Sequence, residues 1–222
     1  MVARRDLHLE VELTRCVLFD CDGTLVDTEL PGNVALAEQL ALAGVAETGE
    51  SLTARFRGRK LADMLTALES RHGVALPSGF VESYRARAAE AFERQVTPIE
   101  GVAEMLETLG LPMCIVSNGP LAKIRQSLRV AGLARHFGDR VFSAYDVGSW
   151  KPDPGLMLHA ARAMGAAPRD CVVVDDSAPG VEAAGRAGMR ALWFAPHGAP
   201  TAVPSHATAF SEMRALAGLL RT

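Results

Sequence analysis

Five short runs in this chain are apolar at nearly every position instead of at every second one. They are Arg15-Cys-Val-Leu-Phe-Asp20, Met113-Cys-Ile-Val-Ser117, the weaker Val141-Phe-Ser-Ala144, Cys171-Val-Val-Val-Asp175 and Arg190-Ala-Leu-Trp-Phe194. Alternation would mark a sheet with one face in water. Continuous apolarity marks strands covered on both faces, the state of strands in a parallel sheet. Helical patterns separate the runs. Thr97-Pro98-Ile99-Glu100 reads as a capping box with Pro at the first helical position, and Val102, Leu106 and Leu109 follow at helical spacing. Pro120 opens a stretch with Ile124, Leu128 and Ala131; Leu156–Met164 and Val181–Ala187 behave alike, each with a Gly close behind. Strand and helix in alternation give a doubly wound α/β fold.

One region breaks the rhythm. From about Leu30 to Arg94 only helical patterns occur, carried by Leu36, Leu40 and Ala43, then Leu61, Met64, Leu65 and Leu68, then Phe80, Tyr84 and Ala88. A crossover between parallel strands needs one helix, so this stretch is an insertion. The length agrees: 222 residues at roughly 150 per domain is about one and a half domains. The expected division is a core of residues 1–29 and 97–222 with an all-helical domain at 30–96.

Composition narrows the partners. The 23 Lys and Arg against 26 Asp and Glu leave a net charge of −3, and both nucleic-acid and anionic-membrane binders need a basic face. Aromatic residues are 5% of the chain, too few for base-stacking platforms. The apolar fraction of 49% is ample for a buried core. No apolar run approaches the ~18–20 residues of a membrane-spanning helix. Met1–Leu13 lacks the continuous apolar stretch and small-residue site of an export signal. Cys16, Cys21, Cys114 and Cys171 form no C-x-x-C pair and read as small core residues in a reducing compartment. The expectation is a cytoplasmic protein, a monomer or weak oligomer, acting on a small molecule without nucleic-acid or membrane partners.

The chemistry concentrates in Asp20-Cys-Asp22-Gly-Thr24-Leu-Val-Asp27, where the first strand ends and the chain turns. In extended backbone, positions two apart point the same way, so Asp20 and Asp22 can address one site, and Gly23 permits the turn. A calcium loop starting at Asp20 would need Gly and Glu where Leu25 and Pro31 stand, so that reading fails. The remaining reading is an aspartate nucleophile with an acid/base partner two residues on, at the carboxyl end of a parallel strand. Ser117 in Val-Ser-Asn-Gly119, Lys151 in Trp-Lys-Pro-Asp-Pro154, and Asp175-Asp176-Ser177 fall at or just after later strand ends, so all converge on one sheet edge. Taken singly they are a turn residue, a solvated lysine and a helix cap. Their joint order and placement favour a site.

These four features in this order resemble the haloacid-dehalogenase-like phosphohydrolases over nearly the whole chain, and the insertion resembles that group's helical cap. A narrower likeness, carried by Pro112-Met-Cys-Ile-Val-Ser-Asn-Gly-Pro120, Trp150–Pro154 and Val174–Ser177, is to bacterial sugar-phosphate phosphatases acting on 6-phosphogluconate. The resemblance implies a Mg²⁺-dependent phosphomonoesterase, with Mn²⁺ able to substitute, working through an aspartyl-phosphate. It implies Asp20 as nucleophile and Asp22 as the acid that protonates the leaving alkoxide and the base that then activates water. Ser117 would donate to a phosphoryl oxygen with Asn118 beside it, and Lys151 would neutralise charge on the nucleophile and phosphoryl group. The implied metal ligands are Asp20, the backbone carbonyl of Asp22, and Asp176, which precedes the Ser; whether Asp175 binds directly or through water stays open. A carboxylate at position 22 suits a phosphate ester, because a halide leaving group needs no proton.

The insertion carries Arg55-Phe-Arg57-Gly-Arg59-Lys60, four cations in six residues. It is either a loop that reaches over the site, with Arg57 and Lys60 pairing a second anionic group of the substrate, or an exposed basic helix end. Lys123 and Arg125 read as surface charges. A receiver-type phosphoacceptor puts its acidic pair first and has no such insertion. A P-loop enzyme needs G-x-x-x-x-G-K-[ST], which is absent, and His8-Leu-Glu10 lacks the P-C-x-x-C of a zinc deaminase. A phosphomutase of the β-phosphoglucomutase type shares the insertion point and all four motifs.

Overall fold

The computed structural model describes residues 14–56, 59, 61–198 and 200–221. Six strands form one fully parallel sheet: β1 (Cys16–Phe19), β4 (Met113–Ser117), β5 (Val141–Ser143), β6 (Cys171–Asp175), β7 (Arg190–Phe194) and β8 (Ala207–Phe210), in the order β5-β4-β1-β6-β7-β8. Two further short strands, β2 (Val26–Asp27) and β3 (Thr97–Pro98), pair antiparallel beside it.

The continuous apolarity has the expected cause. Every residue of β1, β4 and β6 is buried. Alternate side chains enter two separate cores: Val17, Phe19, Ile115, Val172 and Val174 on one face, Cys16, Leu18, Cys114, Val116 and Val173 on the other. The first core is closed by α5 (Val102–Thr108), α6 (Leu121–Val130), α7 (Ala134–Phe137) and α11 (Leu216–Leu219). The second is closed by α8 (Ala144–Val147), α9 (Gly155–Ala163) and α10 (Ala178–Arg186). The doubly wound reading is thereby realised, and the four cysteines are buried free thiols.

Between β2 and β3 the chain is helical: α1 (Glu29–Leu42), α2 (Gly49–Phe56), α3 (Leu61–His72) and α4 (Phe80–Gln95). These helices share a core of their own, including Leu36, Leu40, Leu52, Leu65, Leu68 and Phe80. Helix α2 is an addition to the sequence reading, which had no periodic signal there. No helix among the described residues is long and apolar enough to cross a membrane.

The expected capping box is a correction. Thr97 and Pro98 are extended and pair with Asp27 and Val26, and α5 starts only at Val102, after Gly101 with φ 80°. The physical reason is that the chain enters and leaves the helical insertion through two adjacent strands, and their ladder requires extended backbone where the motif offered a cap. The helical reading from Val102 onward holds. The third run is also shorter than read: Ala144 opens α8, capped by Ser143, whose Oγ accepts from Tyr145 N.

Candidate active site

The register of the central strands sets the site. Phe19 is level with Ile115 on one side and Val174 on the other, so the residues after β1 emerge beside the ends of β4 and β6. Asp20, Ser117 and Asp175 therefore meet at the carboxyl edge. Lys151, in the segment between α8 and α9, reaches them: its Nζ donates to Asp20 Oδ1 at 2.5 Å and to Asp175 Oδ2 at 2.7 Å. The lysine is only 3% exposed, so its pairing to two carboxylates is what makes its burial tolerable. The same contacts raise its pKa against the opposing effect of burial.

Asp175 uses its other oxygen too. Oδ1 accepts from Ser177 N at 2.9 Å and Ser177 Oγ at 2.6 Å. Its neighbour Gly180 packs so tightly that a Cβ there would lie 1.8 Å from Asp175 Oδ2. Asp176 is held by Thr24, whose Oγ1 donates to Asp176 Oδ1 at 3.0 Å and accepts from Asp176 N at 3.1 Å. The motif's Thr, for which the sequence suggested no task, joins the two acidic segments. Gly23 is required twice: its φ is +82°, and a Cβ would stand 2.3 Å from Asp176 Oδ2.

Asp20, Asp175 and Asp176 each offer a carboxylate oxygen within 4.8 Å of the others. Among the described residues, Lys151 is the one cation within hydrogen-bond distance of this cluster. Burial, with Asp175 and Asp22 adding repulsion against the pull of Lys151, pushes Asp20 up to about 7. Burial, Asp20 and Asp175 push Asp176 well above the ordinary carboxylate range. A compact set of hard oxygen donors with surplus negative charge fits a divalent cation of the Mg²⁺ kind.

Asp22 stands apart. Its carboxylate turns out of the acidic cluster: Oδ1 accepts from Thr28 Oγ1 at 2.6 Å and Oδ2 from Lys123 Nζ at 2.9 Å. Burial opposes the charged form, yet Lys123 and the two hydrogen bonds outweigh it and lower the pKa. The reading of Lys123 as a surface charge is thus overturned. It lies in the first turn of α6, facing Asp22 and, 5.3 Å away, the ring of Phe92. Apolar spacing showed which face of α6 meets the core but not what covers the adjoining face. Arg125, paired with Asp139 and more than half exposed, is at the surface.

Ser117 is buried at the end of β4, its Oγ accepting from Gly119 N at 3.0 Å and keeping its hydrogen free to donate. Asn118 has a task beyond the one expected. Its Oδ1 accepts from Lys151 N at 2.8 Å and its Nδ2 donates to Lys151 O at 3.3 Å, so it clamps the segment carrying the lysine. The basic stretch of the insertion divides. Arg55 is bound to Glu47 and Ser51 within the helical layer. Arg59 is exposed and lines the cavity over the catalytic edge. Arg57 and Lys60 lie outside the described residues. That cavity, about 340 Å³, is roofed by Asn33, Phe56, Arg59, Met64, Tyr84 and Phe92.

A buried Asp–Lys–Asp cluster and a separately held second Asp, on the edge of a doubly wound sheet under a helical roof, define a class. The chain belongs to the haloacid dehalogenase-like hydrolases, whose family model matches residues 14–188. It is 38% identical over 203 residues to the 6-phosphogluconate phosphatase of Escherichia coli, covering 90% of this chain and 91% of that one. It is 34% identical to hexitol phosphatase A of the same organism, over 74% of this chain and 75% of the relative. Among solved structures, a haloacid dehalogenase-like protein of unknown function from Agrobacterium tumefaciens superposes with a TM-score of 0.78 at 32% identity, covering 92% and 96% of the two chains. The expectations of a hydrolase of the phosphatase kind, and of a helical cap on a doubly wound core, agree with these findings.

Proposed function

We propose that the protein is a Mg²⁺-dependent phosphomonoesterase for small sugar or sugar-acid phosphates, with 6-phosphogluconate as first candidate, working through an aspartyl-phosphate on Asp20 in the cytoplasm. The observation that carries the reading is the unequal treatment of two carboxylates from one motif. Asp20 sits in the acidic cluster with Lys151, whereas Asp22 is turned away and held by Thr28 and Lys123. Adjacent carboxylates in different surroundings divide into nucleophile and proton carrier.

Asp20, Asp176 and the Asp22 carbonyl would hold the cation directly. Asp175, with one oxygen on Lys151 and the other on Ser177, supports the site from behind. When bound, the cation supplies the positive charge that lets a carboxylate approach a phosphate dianion. Asp20 attacks phosphorus; Ser117 and Lys151 bind the phosphoryl oxygens; Asp22, ionised in the free protein, takes up a proton from water as the substrate dianion binds, gives it to the departing alkoxide and then takes one from the water that cleaves the acyl-phosphate. Residues 1–29 and 97–222 form the catalytic unit and 30–96 the cap, whose side chains select the substrate. A 340 Å³ cavity with polar and apolar walls suits a phosphorylated polyol of sugar size.

The test is a hydrolysis screen with Mg²⁺ and with chelator over 6-phosphogluconate, hexose and pentose phosphates, phosphoglycolate, nucleotides, and β-glucose 1-phosphate with a bisphosphate primer. Release of phosphate from a sugar or sugar-acid phosphate, Mg²⁺-dependent and lost by a factor on the order of 10⁴ or more in Asp20→Asn, is expected. Full activity in that variant would overturn the nucleophile assignment, and exclusive turnover of nucleotides or phosphoglycolate would overturn the substrate class.

A further inference from the structure

Lys123, Gln126 and Arg129 are three apart along α6 and so share one face of that helix. All three engage α4 of the cap. Gln126 Nε2 donates to Ala89 O at 2.8 Å and Glu93 Oε1 at 3.0 Å, and Arg129 bonds the same Glu93 carboxylate. Lys123, at the end of the row nearest the catalytic edge, has its Nζ 5.3 Å from the Phe92 ring centroid. Gln126 and Arg129 fasten helix to helix. Lys123 does something more, because the same ammonium donates to Asp22 Oδ2 at 2.9 Å. Thr28, the residue at which the chain enters α1, holds Oδ1. With a separate donor on each oxygen, the plane of the Asp22 carboxylate is fixed. Oδ2 still has a second lone-pair position, where the proton destined for the leaving-group oxygen would sit.

We propose that Lys123 is a positioning residue: held between the Asp22 carboxylate and the Phe92 ring, it aims Asp22 at the leaving-group oxygen and ties that aim to the docking of α4 on the core. The proposal rests on the reading of Asp22 as proton carrier. Its consequence is selective. A leaving group that departs as a stable anion needs little from Asp22, whereas a sugar alkoxide needs the proton delivered in place.

The experiment compares kcat/KM of wild type, Lys123→Met, Lys123→Arg, Phe92→Leu and Asp22→Asn on glucose 6-phosphate and p-nitrophenyl phosphate. This parameter covers the steps through departure of the leaving group and excludes later hydrolysis of the acyl-phosphate. Met preserves the length of the stem. Lys123→Met is expected to lose about 100-fold on glucose 6-phosphate and less than about 5-fold on p-nitrophenyl phosphate. Lys123→Arg recovers most of the loss, and Phe92→Leu shows the same selectivity at smaller size. Equal losses on both substrates in Lys123→Met, or a raised KM with unchanged kcat, overturn the proposal. Asp22→Asn separates the two levels of inference: if it loses both substrates equally, the acid/base reading itself fails. If it is selective and Lys123→Met is not, only the role of Lys123 fails. Denaturant midpoints of the variants accompany the kinetics, and Lys123→Arg carries the test should Met not fold.

Discussion

The two walls of the catalytic cavity hold their polar groups in different ways. Along the sheet edge every charged group is held by a protein partner: Lys151 by Asp20 and Asp175, Asp175 also by Ser177, Asp176 by Thr24, Asp22 by Thr28 and Lys123. Across the cavity, among the described residues, the exposed Arg59 side chain has no partner, and the Asn33 side chain is held only through Nδ2, which donates to Thr53 Oγ1 at 2.9 Å. The Thr53 hydroxyl gives its hydrogen to Gly49 O, so Asn33 must present its amide nitrogen there, and its Oδ1 remains to accept from a substrate. Rigid charge on one wall and spare hydrogen-bonding capacity on the other is what a division between chemistry and selection requires. A phosphoryl group is the same in every substrate and rewards preorganisation. The rest of the substrate varies, and the groups that read it need room to adapt.

The comparison breaks most visibly if the catalytic wall is not held by its lysine. Lys151→Met leaves Asp20 and Asp175 buried without their cation, and stability should fall by about 3–5 kcal/mol. Hydrolysis should drop on the order of 10³-fold on every substrate, since the lost charge touches only the common phosphoryl group. Urea unfolding and a substrate panel measure both. A loss confined to one substrate would erase the distinction between the walls.

The surplus negative charge gives the next largest effect. Asp20 has its pKa raised from 3.8 to about 7, and Asp176 moves the same way. Between those values the metal-free folded protein holds a proton that the unfolded chain has released. The stabilisation from that proton is full below about pH 4 and lost as pH rises through 7. A divalent cation competes with those protons, so its stabilisation must grow with pH. At 100 times its dissociation constant the cation contributes about 2.7 kcal/mol, or about 5–10 °C in Tm. Melting curves with Mg²⁺ and with chelator at pH 5 and pH 8 should show the larger shift at pH 8; an equal shift at both would contradict the clustering of the carboxylates as the source.

How far the sequence discloses each wall follows from the same contrast. The sheet was legible because β1, β4 and β6 are buried on both faces, and that condition leaves an unbroken apolar run. The catalytic edge was legible because each strand end carries its chemistry within a residue or two, so order along the chain becomes proximity in space. β8 was not legible: Ala-Thr-Ala-Phe lies at the sheet edge with only Phe210 buried, so nothing forces a wholly apolar run. Strands β2 and β3 escaped because two-residue pairs leave no periodicity. Lys123 escaped for a deeper reason. Its environment is made by the docking of α6 against α4 and by Asp22, partners at 31 and 101 positions' remove in the chain, and no local pattern encodes that.

The smallest expected effect belongs to the adaptable wall. Arg59 is exposed, so a contact with a substrate carboxylate is screened by water and amounts to about 1 kcal/mol, or about fivefold in kcat/KM. Arg59→Ala should therefore lower the preference for 6-phosphogluconate over glucose 6-phosphate by about fivefold while leaving glucose 6-phosphate turnover nearly unchanged. The same reading extends as a proposal to Arg57 and Lys60, whose Ala variants should shift the same ratio in the same direction. Steady-state kinetics on the two substrates decide it. A uniform fall on both would place Arg59 with the catalytic wall, and no change in the ratio for any of the three would move selection away from the basic stretch to Asn33 and Tyr84 on the helices behind it. The contrast with Lys151 makes the small number informative: one cation changes every substrate alike, the other changes only the choice among them.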